Sequence, residues 1–205
     1  MKKAYLLFGV CMAVGLTGMV SKAATEAARH DFSEWRFPVG ISYISGFSDV
    51  VSYYEDAYGA DSGGFIPIGL SFTPYYQFDH GSRLGFDLGP AGVVIVSGAA
   101  DSTYWDVPVG LSYGFNFIPH ASVSPYGRIG IKYHIAGGDD VQSSTPGAFG
   151  ALGLEIMRKK MIGVQFEVGY DASQVTLGRE SGWGRGTHER EVTPGGVTVS
   201  IRGVF

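Results

Sequence analysis

Six ionisable side chains fall at one phase of alternating segments: the acids Asp87, Glu155 and Glu167 and the bases Arg128, Lys132 and Arg202. A charge taken out of water needs a partner, so three of each sign on one inner face must pair. Two arrangements satisfy them, an ion-pair network that plugs an interior or a narrow gated path for a small solute. Counted from the segment ends, all but Lys132 stand at a similar depth and form one charged layer. The histidines His30, His80, His120, His134 and His188 are the candidates for proton transfer. Alternation turns His134 inward and leaves the others in turns, loops or the amino-terminal stretch, none beside a serine it could activate, so no catalytic residue is assigned. Asp49, Glu55, Asp56 and Asp61 lack the spacing of a calcium loop. Gly178, Gly182, Gly184 and Gly186 have neither the strand-to-helix setting nor the lysine of a phosphate loop. No metal or cofactor is expected.

The elements that position these charges are period-two strands. The clearest runs from Trp105 to Phe117, where Trp105, Val107, Val109, Leu111, Tyr113, Phe115 and Phe117 alternate with Asp106, Pro108, Gly110, Ser112, Gly114 and Asn116. Similar alternation gives strands over about 37–47, 65–78, 83–96, 122–135, 147–157, 162–171 and 196–205. Gly89-Pro90 is expected to introduce a bulge. The connections alternate long and short, with 48–64, 97–102, 136–146 and 173–195 read as polar loops. Pro38, Pro67 and Pro108 each open a Pro-x-Gly-x-Ser segment and need strand ends or bulges, because proline donates nothing to a ladder. In the last strand Val197, Val199, Ile201 and Phe205 share one face, with Gly196, Thr198, Ser200 and Arg202 on the other. Such a strand needs the first strand as a partner, which closes the sheet.

Which face is wet decides the environment. The face opposite the hydrophobes is mostly glycine and serine, a poor aqueous surface but suited to an eight-stranded interior just wide enough to be filled by side chains. Aromatics gather toward strand ends, with Tyr43, Phe65, Tyr104, Trp105, Tyr133 and Tyr170 at one rim and Phe37, Phe78, Phe115, Phe117 and Phe205 at the other, as in membrane-interface belts. Residues 1–23 read as a signal peptide, with Lys2 and Lys3 before an apolar run and a small-x-small cleavage site at Ser21-Lys22-Ala23. Cys11 lies within that run, so the exported chain is cysteine-free. Export also removes Lys2, Lys3 and Lys22 from the 15 basic residues, leaving 12 against 19 acidic and a charge of −7, which argues against a nucleic-acid partner. Residues 24–36 read as a short polar leader with room for one helical turn and with Trp35 at an interface, and 37–205 as one barrel.

These features, with Ser124-Pro125-Tyr126-Gly127-Arg128-Ile129-Gly130-Ile131 and the terminal aromatic strand, resemble the small eight-stranded bacterial outer-membrane β-barrels, the group of the OmpA membrane domain, OmpX and OmpW. The resemblance implies an all-β, eight-stranded antiparallel up-and-down transmembrane β-barrel in the outer membrane of a Gram-negative-type bacterium. It also implies contact with membrane lipid and lipopolysaccharide, and a terminal signal in Val199, Ile201 and Phe205 read by the barrel-assembly machinery. The expected state is a monomer with a mostly filled lumen and a structural or surface-interacting role through long loops. A narrow solute channel is the alternative; the lipid A-modifying enzymes built on such barrels come third.

Overall fold

The computed structural model describes residues 33–58, 67–96, 102–138, 140–157, 162–179 and 188–205. Residues 1–23, read as a signal peptide, and most of 24–36, together with Phe65, Asp61, Gly182, Gly184 and Gly186, lie outside the described residues, as does His30. Eight antiparallel strands close on themselves: β2 (Pro38–Ile44), β3 (Ile68–Phe72), β5 (Ser82–Val96), β6 (Ser102–Asn116), β7 (Val123–Gly138), β9 (Gly147–Met157), β10 (Gly163–Asp171) and β13 (Gly196–Val204). The closing seam joins first and last, with Ile201 opposite Ile41 and Ser200 opposite Ser42. Two short strands prolong this wall at one end. β4 (Tyr75–Gln77) continues β3 past Thr73-Pro74, and β1 (Glu34–Arg36) pairs with β4, so residues 34–36 extend the sheet where a leader was expected.

The prolines sit where a missing donor is harmless. Pro38 opens β2 and Pro67 precedes β3. Pro108 lies mid-strand in β6, but there the register against β5 jumps between Leu88 and Gly92, so it faces a broken stretch of ladder. Gly89 takes φ +95 within that irregularity, a conformation open to glycine and strained for other residues.

Apolar side chains point outward. Ile41, Leu70, Ile95, Leu111, Ile129, Ile131, Leu152, Val168 and Ile201 are all exposed, while Ser42, Ser71, Asp87, Glu155, Glu167 and Arg202 are buried inside. Tyr43, Trp105, Tyr133 and Tyr170 lie exposed at one rim; Tyr104 does not join them, because it turns inward and is fully buried. At the other rim Trp35 stacks on Phe37 and meets Tyr76 edge-on, and Phe115 meets Phe117 edge-on. Glycine makes room for the long inner side chains. Arg128 stands opposite Gly114, Lys132 opposite Gly110 and Gly147, and Glu167 opposite Gly153. A Cβ on Gly153 would lie 2.4 Å from the Tyr126 ring.

The described parts of three segments read as loops form regular structure at the end opposite β4, here the cap end. Helix α1 (Phe47–Tyr58) takes up the described part of the first of them. Phe47, Val50, Val51 and Tyr54 recur at the helical period, and Asp49 sits in the first turn where the helix dipole favours an acid. β7 runs on to Gly138, and β8 (Val141–Thr145), β11 (Gln174–Arg179) and β12 (His188–Val192) form a three-stranded sheet in the order β12-β11-β8. Helix and sheet enclose an apolar cluster over the barrel mouth that includes Ile44, Phe47, Tyr54, Tyr104, Val175 and Leu177. Burying that face is what holds a helix of this length in place. Tyr58 donates to both carboxylate oxygens of Asp140 at 2.9 and 2.7 Å, tying the end of α1 to the start of β8.

Candidate functional site

Three stacked layers of charge lie along the lumen. Nearest the turn end, Arg83 of β5 meets Glu155 of β9 at 2.5 Å. The same carboxylate oxygen accepts from Tyr75 at 2.8 Å and Gln165 at 2.9 Å. The Arg83 guanidinium lies between two rings, 4.4 Å from the centre of Tyr75 and 4.2 Å from that of Tyr126, which offsets part of its lost hydration.

The middle layer turns on Glu167 of β10. Arg128 grips it with two nitrogens, Nε to Oε2 at 2.7 Å and Nη2 to Oε1 at 2.8 Å, the two-pronged geometry that suits guanidinium and carboxylate. Arg202 of β13 donates to Oε1 at 3.0 Å, and the Tyr126 hydroxyl to Oε2 at 2.9 Å. The free arm of Arg128 reaches Asp87 of β5. Arg202 also donates to Ser71 and Ser200, so one carboxylate links side chains from β3, β5, β7, β10 and β13.

At the cap end the third layer joins β6, β7 and β10. Nδ1 of His134 is 2.5 Å from Asp106 Oδ2, and Nε2 is 3.4 Å from Asp171 Oδ2. Lys132 Nζ lies 3.6 Å from the same Asp171 oxygen and 4.5 Å from the Phe149 ring centre. The other oxygen of Asp171 accepts from the Ser173 backbone at 3.0 Å and from the Ser173 hydroxyl.

Asp87, Arg128, Lys132, Glu155, Glu167 and Arg202 thus all point to the axis; Lys132, already set apart from the charged layer, lies with Asp171, and of the other five Glu155 departs from the layer and stands with Arg83. The reason is the stagger of a closed sheet, which sets residues equally far from their strand ends at different heights. Arg83, Asp106 and Asp171 were absent from the sequence-based set. All three occupy inward phases of their strands, Arg83 standing four residues before Asp87, and were findable by alternation. Val199, Ile201 and Phe205 lie exposed along the outer wall.

Space left inside is small. Cavities of about 20 Å³ beside Arg83, Tyr126 and Glu167, and about 10 Å³ beside Lys132, Phe149 and Asp171, have room for roughly one water each. A larger hollow of about 730 Å³ lies on the outer wall over Gly127 and Gly150, against Phe115, Phe117 and Leu152, and belongs to the apolar surface. Ser173 donates to Asp171 rather than to His134, and His80 stacks on Phe78 at the turn end.

No family model and no curated protein matches the sequence. Solved structures do match in shape. The outer membrane protein OprG from Pseudomonas aeruginosa superposes with a TM-score of 0.58 at 14% identity, covering 85% of this chain and 96% of that one. The outer membrane protein W of E. coli gives 0.53 at 15% identity, covering 86% and 99%. With its closed ring of eight antiparallel strands, the chain has the fold of the small eight-stranded outer-membrane β-barrels.

Proposed function

We propose that the chain is an outer-membrane barrel whose lumen is sealed, and that it serves as a structural or surface-contacting element through the cap of α1, β8, β11 and β12. One observation carries this reading: three layers of paired charge occupy the axis, and the cavities between them hold about one water each. An exterior of exposed Leu, Ile, Val and aromatic side chains suits hydrocarbon bounded by interfacial rings, and the fold similarity supports the same location. With the turns on the periplasmic side, the cap faces outward, where lipopolysaccharide is its nearest partner. The terminal strand is the element offered to the assembly machinery. A narrow path for small solutes is the competing reading and requires the layers to part. Planar bilayers containing the purified mature chain at neutral pH separate the two: the sealed barrel gives a flat current trace, and reproducible unitary steps favour the channel.

A further inference from the structure

The three layers differ in one respect. Arg83 offsets Glu155, and Arg128 with Arg202 offsets Asp87 with Glu167. The cap-end layer sets two acids, Asp106 and Asp171, against one permanent cation, Lys132. With both acids ionised, it is neutral only when His134 carries a proton on both ring nitrogens. Each nitrogen has a carboxylate beside it: Nδ1 lies in hydrogen-bond contact with Asp106, and Nε2 stands at ion-pair range from Asp171 rather than in hydrogen-bond geometry, both oxygens offering lone pairs and nothing else. Without one of those protons a nitrogen lone pair opposes an oxygen lone pair, and a negative charge is left over. The site does not forgive this, since His134 is 0% exposed, Asp106 1%, Asp171 2% and Lys132 5%.

The surroundings supply no substitute among the described residues. From β6 come Asp106 and the hydroxyl of Tyr104; from β10, Asp171, braced by Ser173; from β7 itself, Lys132. Below Lys132 stand Asp87, Arg128 and Glu167, already matched to one another and to Arg202. β13 contributes only Gly196 and Thr198 at this level, and α1 brings Tyr53 and Tyr54 into the apolar cluster above. The layer lies at the level where the polar lumen gives way to that cluster, and it holds together three strands that carry the cap.

We propose that Asp106, His134, Asp171 and Lys132 form a proton-held latch: the proton bound by the imidazole closes the layer beneath the cap, and its loss as pH rises opens that end of the lumen. The latch rests on the sealed-lumen reading, and its test keeps the two apart. The mature chain, refolded in detergent and also inserted in planar bilayers, is taken through one pH series. Nitrogen-15 NMR of the imidazoles follows His134, assigned by its loss in His134→Gln, while denaturant midpoint and conductance are read on matched samples. In the interval where His134 gives up its proton, the midpoint falls and current steps appear. His134→Gln has a lowered midpoint at acid pH and no such fall. Adding Asp106→Asn to it leaves Lys132 facing Asp171 alone, which restores the midpoint and keeps it flat with pH. Proton loss from His134 with midpoint and conductance unchanged overturns the latch and leaves the sealed lumen standing. If His134 holds its proton throughout, equal midpoints for the single and double variants overturn it. Current across the whole series, protonated His134 included, refutes the sealed lumen itself.

Discussion

Glu167→Gln tests the middle layer most severely. The substitution keeps the size of the side chain and removes one negative charge from a group that is 4% exposed and takes hydrogen bonds from Arg128, Arg202 and Tyr126. Arg128 would retain Asp87, but Arg202 would be left with the hydroxyls of Ser71 and Ser200, so the layer would hold one unmatched positive charge. Breaking a buried pair from one side costs about 3–5 kcal/mol, most of it the stranded partner. Urea titration in detergent micelles, followed by tryptophan fluorescence and by the heat-dependent gel shift of folded barrels, measures the loss. Arg202→Met made in the same chain removes the unmatched cation, and the double variant should recover at least about 1 kcal/mol of it, a coupling expected of residues sharing a contact. A loss under about 1 kcal/mol for Glu167→Gln, or no recovery in the double variant, would refute the view that charge matching holds the lumen together.

Gly153→Ala places a methyl against the Tyr126 ring and the Phe166 carbonyl, and should destabilise the barrel by about 1–3 kcal/mol in the same titration, as overpacking does elsewhere. Ile131→Arg, on the exposed outer wall, should cost about 2–4 kcal/mol when folding is measured into lipid vesicles, with the penalty shrinking toward the rims. Phe47→Ala empties part of the apolar cluster under α1. Proteolysis within residues 47–58 should rise at least about tenfold, corresponding to more than ~1.4 kcal/mol of local opening, while the global urea midpoint stays put.

The barrel was legible because its signal is local. Period-two alternation from Trp105 to Phe117 fixes which side chains face the axis, and one glance at Gly, Ser and paired charges on that phase says that the axis is the polar side. Pairing was not legible, since the partner of Glu167 depends on the heights of five different strands and on the stagger between them. The cap was missed for two reasons. Phe47, Val50, Val51 and Tyr54 do carry a helical period, but Asp49, Glu55 and Asp56 between them give the stretch the look of a solvated loop. In β11 and β12 the strands are short, and Val175, Leu177 and Val192 gain their meaning only from the helix that covers them. The three prolines were ambiguous for a related reason: whether Pro108 disrupts a ladder depends on the irregularity in the neighbouring β5.

Ser200 gives the most direct access to the central claim. Its hydroxyl lies inside the wall, 2.7 Å from that of Ser42 and 3.1 Å from Arg202, at 3% exposure. The one cysteine of the sequence is Cys11, so Ser200→Cys in a chain beginning at residue 24 introduces a thiol of similar size at a single inner position. In vesicles, a small cationic thiosulfonate added to either side should leave this thiol unmodified until the barrel is denatured, and then label it fully. Rapid labelling of the folded protein from either side would show water and solute reaching the axis, and the charge-filled lumen would have to be abandoned.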